Sequence, residues 1–305
     1  MTNNKEQFFL YSSDGICTKK NRLKDQLGFL SLGASAFLVL VILGSTLWFI
    51  FAKGWHYAFS WHYLFTPPQG SRHDEGGILY PLIVTFYLIV SSILIAAPIG
   101  VFASIYLSEY ANPKSFLTKA SRFAIESLAG IPSVIYGLFG LAFFASFLGF
   151  NRSILAGSLT VAIMILPLII RTSEEALYSV PKAYWDGSFA LGANKVQTIF
   201  KIILPSAFPG IFTGIMLSVG RVIAESAILF LVAGGSISSV PRLVAQEFPY
   251  LLPDSGRALA VHLYLQAESY DNPEKAFATA VVLIILIILL NLFTFFGFSA
   301  GKLKK

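Results

Sequence analysis

Six stretches of this chain run to membrane length with no charged side chain, or with only two. Leu27 to Ala52, Gly76 to Ser108, Ser127 to Asn151, Ser153 to Ile170 and Ala276 to Gly301 carry none. Ile202 to Pro241 is interrupted only by Arg221 and Glu225. About 20 apolar residues cross a bilayer as a helix, and backbone amides in hydrocarbon must bond to one another. The expectation is therefore an all-α, polytopic membrane protein with six transmembrane helices at 27–52, 78–107, 124–148, 154–171, 208–232 and 277–299. The second run exceeds one span, and Pro98-Ile99-Gly100 is expected to kink it. Only 12% of the residues are charged, about half the soluble average. The first run is far longer than the roughly 7–15 apolar residues of a signal peptide and reads as a span.

Lys and Arg set the orientation. The N-terminal tail (Lys5, Lys19, Lys20, Arg22, Lys24), the segment after the second span (Lys114, Lys119, Arg122), the segment after the fourth (Arg171, Lys182, Lys195, Lys201) and the C-terminus (Lys302, Lys304, Lys305) outweigh the opposite side. That side holds Lys53, Arg72, Arg152, Arg242, Arg257 and Lys275. Both termini and the 172–206 loop are expected in the cytoplasm of a cell whose inner (plasma) membrane holds the chain. The division is a tail at 1–26 and a permease domain at 27–301, with extracytoplasmic loops at 53–77 and 233–275. Those loops read either as interfacial packing or as a docking surface. The net charge of +6 follows from topology and does not imply nucleic acid. A single cysteine, Cys17, rules out an internal disulfide. The chain has no phosphate-cradling Gly-x4-Gly-Lys loop. His56, His62, His73 and His262 match no standard zinc spacing. No cofactor is expected on this chain.

The 172–206 loop has internal structure. Val180-Pro181 should open a helix, with proline at its first position. Gly192 should end it, and Ile199, Ile202 and Ile203 should give a second helix an apolar face. Its pattern is Asp186-Gly187-Ser188, then Gly192, then Ile202-x-Leu204-Pro205. This resembles the coupling loop of ABC importer permeases, Glu-Ala-Ala-x3-Gly-x9-Ile-x-Leu-Pro. Here Asp replaces Glu, and Gly and Ser replace the two alanines; Gly187 weakens a helix by about 1 kcal/mol relative to Ala. Glu174-Glu175-Ala176 upstream has a similar start at the wrong distance from Gly192.

Beyond the loop, the chain resembles the PstA-type permease of phosphate-specific ABC importers over about residues 75–300. The resemblance is carried by Gly76-Gly77-Ile78-Leu79, Ala97-Pro98-Ile99-Gly100-Val101, Ile105-Tyr106-Leu107-Ser108-Glu109-Tyr110 and Leu128-Ala129-Gly130-Ile131-Pro132-Ser133, continuing to Tyr136-Gly137 and Gly140. Leu166-Pro167-Leu168, Leu191-Gly192-Ala193 and Leu204-Pro205-Ser206-Ala207-Phe208-Pro209-Gly210 extend it. The resemblance implies a type I ABC importer fold with a cytoplasmic coupling helix-turn-helix. It implies a PstC-like sister permease, a PstB-like ATPase dimer that uses ATP and Mg, and a PstS-like extracytoplasmic phosphate-binding protein. Asp186, Gly187, Ser188, Gly192, Ile202, Leu204 and Pro205 would then couple to the ATPase, and the chain itself would not be an enzyme.

Arg221 and Glu225 are expected mid-helix, on one face at i and i+4. Charges at that depth cost roughly 2.5–3.5 kcal/mol each and mark a bundle interior or an aqueous path. They read either as a structural ion pair or as groups in an anion path. In the path reading the Arg221 guanidinium grips a tetrahedral oxyanion through two bonds and Glu225 moderates the grip. Sulfate or molybdate would satisfy the same arginine. Glu126 is expected to pair with Arg122. Gly130, Gly137 and Gly140 are expected to permit close helix packing. An ion-coupled secondary transporter would need several deep carboxylates or broken helices, and a membrane enzyme a cluster of reactive groups.

Overall fold

The computed structural model describes residues 19–69, 75–235, 254–268 and 273–302. Residues 1–18 of the expected 1–26 tail and most of the 233–275 loop lie outside the described residues. Two compact units divide the chain, residues 1–52 and 53–305. The described residues of the first form one helix, the greater part of α1 (Lys19–Ala58). A lone helix has no partner within its own unit, and the apolar side chains from Leu27 to Phe49 are largely exposed.

The second unit is a helical bundle. A short helix α2 (Trp61–Phe65) and a two-residue antiparallel ladder, β1 (Pro68–Gln69) with β2 (Glu75–Gly76), lead into α3 (Leu79–Ile105). The helix runs unbroken through Pro98 and ends in a π turn, Tyr106–Tyr110. Next come α4 (Phe116–Ala129) and α5 (Ser133–Gly140), the latter extended by a π segment at 141–147. Helix α6 (Ile154–Tyr178) is capped by Ser153, whose side chain accepts from Ala156 N at 3.2 Å. Then follow α7 (Lys182–Ala190), α8 (Lys195–Thr198), a π turn (Ile199–Ile203), α9 (Leu204–Ala224), α10 (Ala227–Val232), α11 (Leu259–Glu268) and α12 (Pro273–Lys302).

Two expected spans are not single helices. The third, expected at 124–148, bends by 100° between α4 and α5. Proline has no N–H and disfavours helical geometry in the residue before it, so the chain breaks at Gly130-Ile131-Pro132. Tyr136 Oη, reaching back across the bend, donates to Leu128 O at 2.7 Å. The fifth, expected at 208–232, is broken at Glu225-Ser226 between α9 and α10.

Contacts decide whether the bent pair crosses the bundle. At one end, Arg122 on α4 bonds Leu107 O beside the end of α3 and Glu174 in the last turns of α6. At the opposite end, Ser153 N bonds Val232 O, Ile154 N bonds Asp254 O, and Leu259 N bonds Thr85 Oγ1. The pair therefore starts at the first end and finishes at the second. It is a broken crossing, and the described residues of the second unit cross the bundle five times.

The main core joins α3, α5, α6, α9, α10 and the 258–261 stretch through Leu88, Tyr136, Ile165, Val222, Ile228 and Val261. Gly140 is needed there: an added Cβ would overlap Thr160 Oγ1 on α6 and lie 2.6 Å from its Cγ2. Gly137 faces α10 less tightly, where a Cβ would lie 2.9 Å from Leu231 Cδ1 and 3.2 Å from Ile228 Cα. Gly130 differs from the expectation, since a Cβ there meets only Ser127 O at 3.6 Å and Glu126 O at 4.0 Å. Gly140→Ala is expected to lower stability by about 1–3 kcal/mol through overpacking, and Gly130→Ala by less than about 0.5 kcal/mol. Thermal unfolding of the two variants in detergent checks the contrast.

The 254–268 segment is no surface loop. Ala258, Leu259, Val261 and His262 are almost fully buried. Tyr63 Oη, 2.8 Å from Thr279 Oγ1, donates to Lys275 O at 3.0 Å, and Thr279 Oγ1 donates to Gln266 Oε1 at 2.6 Å. Burial pushes the Tyr63 phenol above its usual value, against the lowering pull of its bonds to Thr279 and Gln266.

Candidate functional site: an exposed hairpin and a broken span

The hairpin after α6 is built by local rules. Pro181 caps α7 with an extended backbone (φ −58, ψ 138), so the helix starts at Lys182, one residue later than expected. It ends at Leu191 with Gly192 at φ +81. Gly192 N donates to Phe189 O (2.9 Å) and Ala193 N to Ser188 O (3.2 Å). These are the paired bonds of a Schellman closure, which needs a left-handed residue at that place. Asn194 then opens α8 in a capping box with Gln197. Two orphan amides are satisfied within four residues, and the chain reverses tightly.

The hairpin has two faces. Asp186 and Gly187 are exposed, as is Gly192. Ser188 is 3% exposed, its Oγ 2.8 Å from Thr198 Oγ1, which ties α7 to α8. Ile199 and Ile203 are fully buried against Ile105, Ala176, Leu177 and Val180. Ile202 and Leu204 are half-buried at the margin of this cluster, and Pro205 is exposed. Proline at 205 offers no N–H and crowds the carbonyl four residues back, and the helix passes through a π turn just before it. The seven expected residues thus run from α7 (Asp186, Gly187, Ser188) through the turn at Gly192 and the π turn at Ile202 to the first residues of α9 (Leu204, Pro205).

Arg221 and Glu225 are not on one helix face. Arg221 occupies the last turn of α9 and is exposed, where the negative end of the helix dipole favours a cation. Glu225 lies past the helix end in extended backbone (φ −76, ψ 118). Its Oε1 accepts from Ile228 N at 3.2 Å, so it caps α10. A broken helix in an apolar span frees backbone groups that need partners, and Glu225 supplies one. Ser226 ahead of the apolar run 227–232 was the available sequence signal for this break.

Sequence reasoning also missed the pairing at the hairpin end. Arg122 pairs with Glu174 at 3.0 Å and donates to Tyr178 Oη at 3.1 Å. The expected partner, Glu126, instead faces Arg171 at 4.0 Å. The extension of α6 to Tyr178 carries Glu174 and Glu175, so the Glu174-Glu175-Ala176 sequence belongs to a span end. No group of three or more His, Cys, Asp and Glu side chains converges among the described residues.

Comparison with known proteins places this architecture. Residues 96–299 match the family described as binding-protein-dependent transport system inner membrane component. The chain is 36% identical over 196 residues to the probable ABC transporter permease protein YqgI of Bacillus subtilis, covering 62% of this chain and 65% of that protein. It is 30% identical over 244 residues to phosphate transport system permease protein PstA 1 of Mycobacterium tuberculosis, covering 75% and 79%. A probable PstA of Methanocaldococcus jannaschii is 29% identical over 262 residues, covering 86% and 89%. In fold, the chain is similar to a chain of a bacterial alginate ABC transporter solved with an alginate-bound periplasmic protein (TM-score 0.58, 16% identity, 90% of this chain and 94% of that one). It is similar also to a chain of the inward-facing MetNI methionine ABC transporter (TM-score 0.52, 20% identity, 73% and 94%). With six candidate spans among the described residues once the bent pair is taken as one and the family match over residues 96–299, the chain belongs to the binding-protein-dependent transport system inner membrane components, as a multi-pass permease of PstA type.

Proposed function

We propose that the chain is the permease subunit of an ATP-driven phosphate importer. It forms half of a translocation path whose other half comes from a sister permease. The observation that carries the coupling role is the hairpin at 182–205, with an exposed Asp186-Gly187-Gly192 face and an inner face locked to the bundle by Ile199 and Ile203. An ATPase dimer, with ATP and Mg, would dock on the exposed face. The hairpin end is then cytoplasmic, as the Lys and Arg distribution requires, and both termini share that side. ATP chemistry belongs to the partner, and a phosphate-binding protein delivers substrate at the opposite end. Phosphate as cargo rests on the PstA-named relatives. The exposed Arg221 offers the anion a guanidinium with a fork of donors, and Glu225 follows just past the helix end, in extended backbone.

The breaks at Gly130-Ile131-Pro132 and at Glu225-Ser226 are the features that favour an ion-coupled carrier, since such carriers bind at broken helices. Glu225 is a single carboxylate already engaged by Ile228 N, and the ABC reading accounts for the hairpin as well.

The test is uptake of radiolabelled phosphate at micromolar concentration in a strain deleted for the gene, with and without the gene restored. Excess sulfate or molybdate serves as competitor. Uptake lost on deletion, restored by the gene and unaffected by either competitor is the expected result. Competition by sulfate or molybdate would reassign the cargo to another oxyanion. Uptake driven by an ion gradient in ATP-depleted vesicles would overturn the ABC mechanism.

A further inference from the structure

The last four carbonyls of a helix have no partner within the helix. At the hairpin end of α3 two of them are met by cations from other elements. Arg122 on α4 donates to Leu107 O at 3.3 Å. Lys195, the first residue of α8, donates through Nζ to Glu109 O. The same ammonium lies 4.0 Å from Glu109 Oε2 and 4.9 Å from the centre of the Tyr110 ring. A cation at a helix C-terminus meets the negative end of the dipole, and the ring face adds a second attraction. Exposed ion pairs contribute little, but the Glu109 side chain is only 17% exposed, and here three contacts converge on one side chain. The anchored turn is the π segment of α3, and it sits over a core cluster that includes Ile105 below it and Ile203 of the hairpin's own π turn.

Lys195 therefore adds a polar tie to the apolar packing of the hairpin. The tie reaches one particular helix, and that helix spans the bundle. At its far end Thr85 Oγ1 of α3 accepts from Leu259 N, in the buried segment opposite the hairpin. A push on the hairpin through Lys195 reaches this contact along a single helix.

We propose that Lys195 is a positioning residue of the coupling machinery: its bonds to Glu109 and Tyr110 make α3 follow the hairpin, so that ATPase movement opens and closes the path. This rests on the coupling role proposed above for the hairpin. A residue with this role sets how much transport each ATP yields, without setting whether the ATPase binds.

The experiment uses the whole complex in proteoliposomes, with binding protein, and counts radiolabelled phosphate imported per ATP hydrolysed. Lys195→Met keeps length and stem and removes the cation. It is expected to co-purify with the ATPase as the wild type does and to hydrolyse ATP, but to import about five- to tenfold less phosphate per ATP, within the usual range of coupling between sites. Lys195→Arg restores the ratio. A wild-type ratio in Lys195→Met overturns the inference. Loss of ATPase co-purification overturns it too, since Lys195 would then belong to the docking face. A Gly192→Arg control separates the two readings: normal uptake by that variant removes the coupling role itself, whereas its failure beside a normal Lys195→Met removes only the tie to α3.

Discussion

Gly192→Arg is expected to abolish ATP-driven uptake while leaving the protein in the membrane at its normal level. Gly192 stands at φ +81, where a residue with a Cβ costs about 1–3 kcal/mol. The Schellman bonds from Gly192 N to Phe189 O and from Ala193 N to Ser188 O depend on that conformation. A Cβ placed there meets no atom within 4 Å, so the bundle beneath is not disturbed. The arginine instead projects from the exposed face, where a docking partner must approach. Gly192→Ala isolates the backbone strain and is expected to retain a reduced uptake. Co-purification of the ATPase with each variant, measured beside phosphate uptake, checks the assignment. Normal uptake by Gly192→Arg would sink the coupling role of the hairpin.

Arg221→Gln is expected to reduce phosphate uptake by about 10- to 100-fold, because hydrogen bonds to charged groups contribute about 1.5–3 kcal/mol each. Glutamine keeps a donor but loses the charge and the planar fork that matches a tetrahedral anion. The side chain is exposed in this subunit, so its loss should leave the fold of this subunit intact. Arg221→Lys keeps the charge as a point and should recover part of the uptake. The readout is initial uptake rate at saturating binding protein, normalised to the amount of assembled complex. An Arg221→Gln complex with wild-type rate would remove Arg221 from the path. Glu225 needs a different interpretation, because its Oε1 caps α10. Glu225→Ala uncaps a helix and confounds path with packing, whereas Glu225→Gln retains a carbonyl acceptor and tests the charge alone.

The sequence by itself determined what needs only local chemistry or one-dimensional counting. Charge-free runs of membrane length fixed an all-α polytopic chain, since no other backbone arrangement of such runs satisfies its amides in lipid. Gly192 and the Ile199–Ile203 face were legible because a left-handed turn and a helical period are properties of a few neighbouring residues. Tertiary structure alone decided the rest. The bend after Gly130 had its cause in Pro132, but that the bent pair still crosses the bundle follows from contacts at its two ends. The i and i+4 spacing of Arg221 and Glu225 implied a shared face only if the helix continued. The break at Ser226 turned Glu225 into a cap, because freed amides in an apolar span take the nearest acceptor. Arg122 chose Glu174, 52 positions away, over Glu126 on its own helix, and Lys195 reached Glu109 across 86 positions. Such partners are selected by which helix ends the packed core brings together, and sequence spacing carries no record of that.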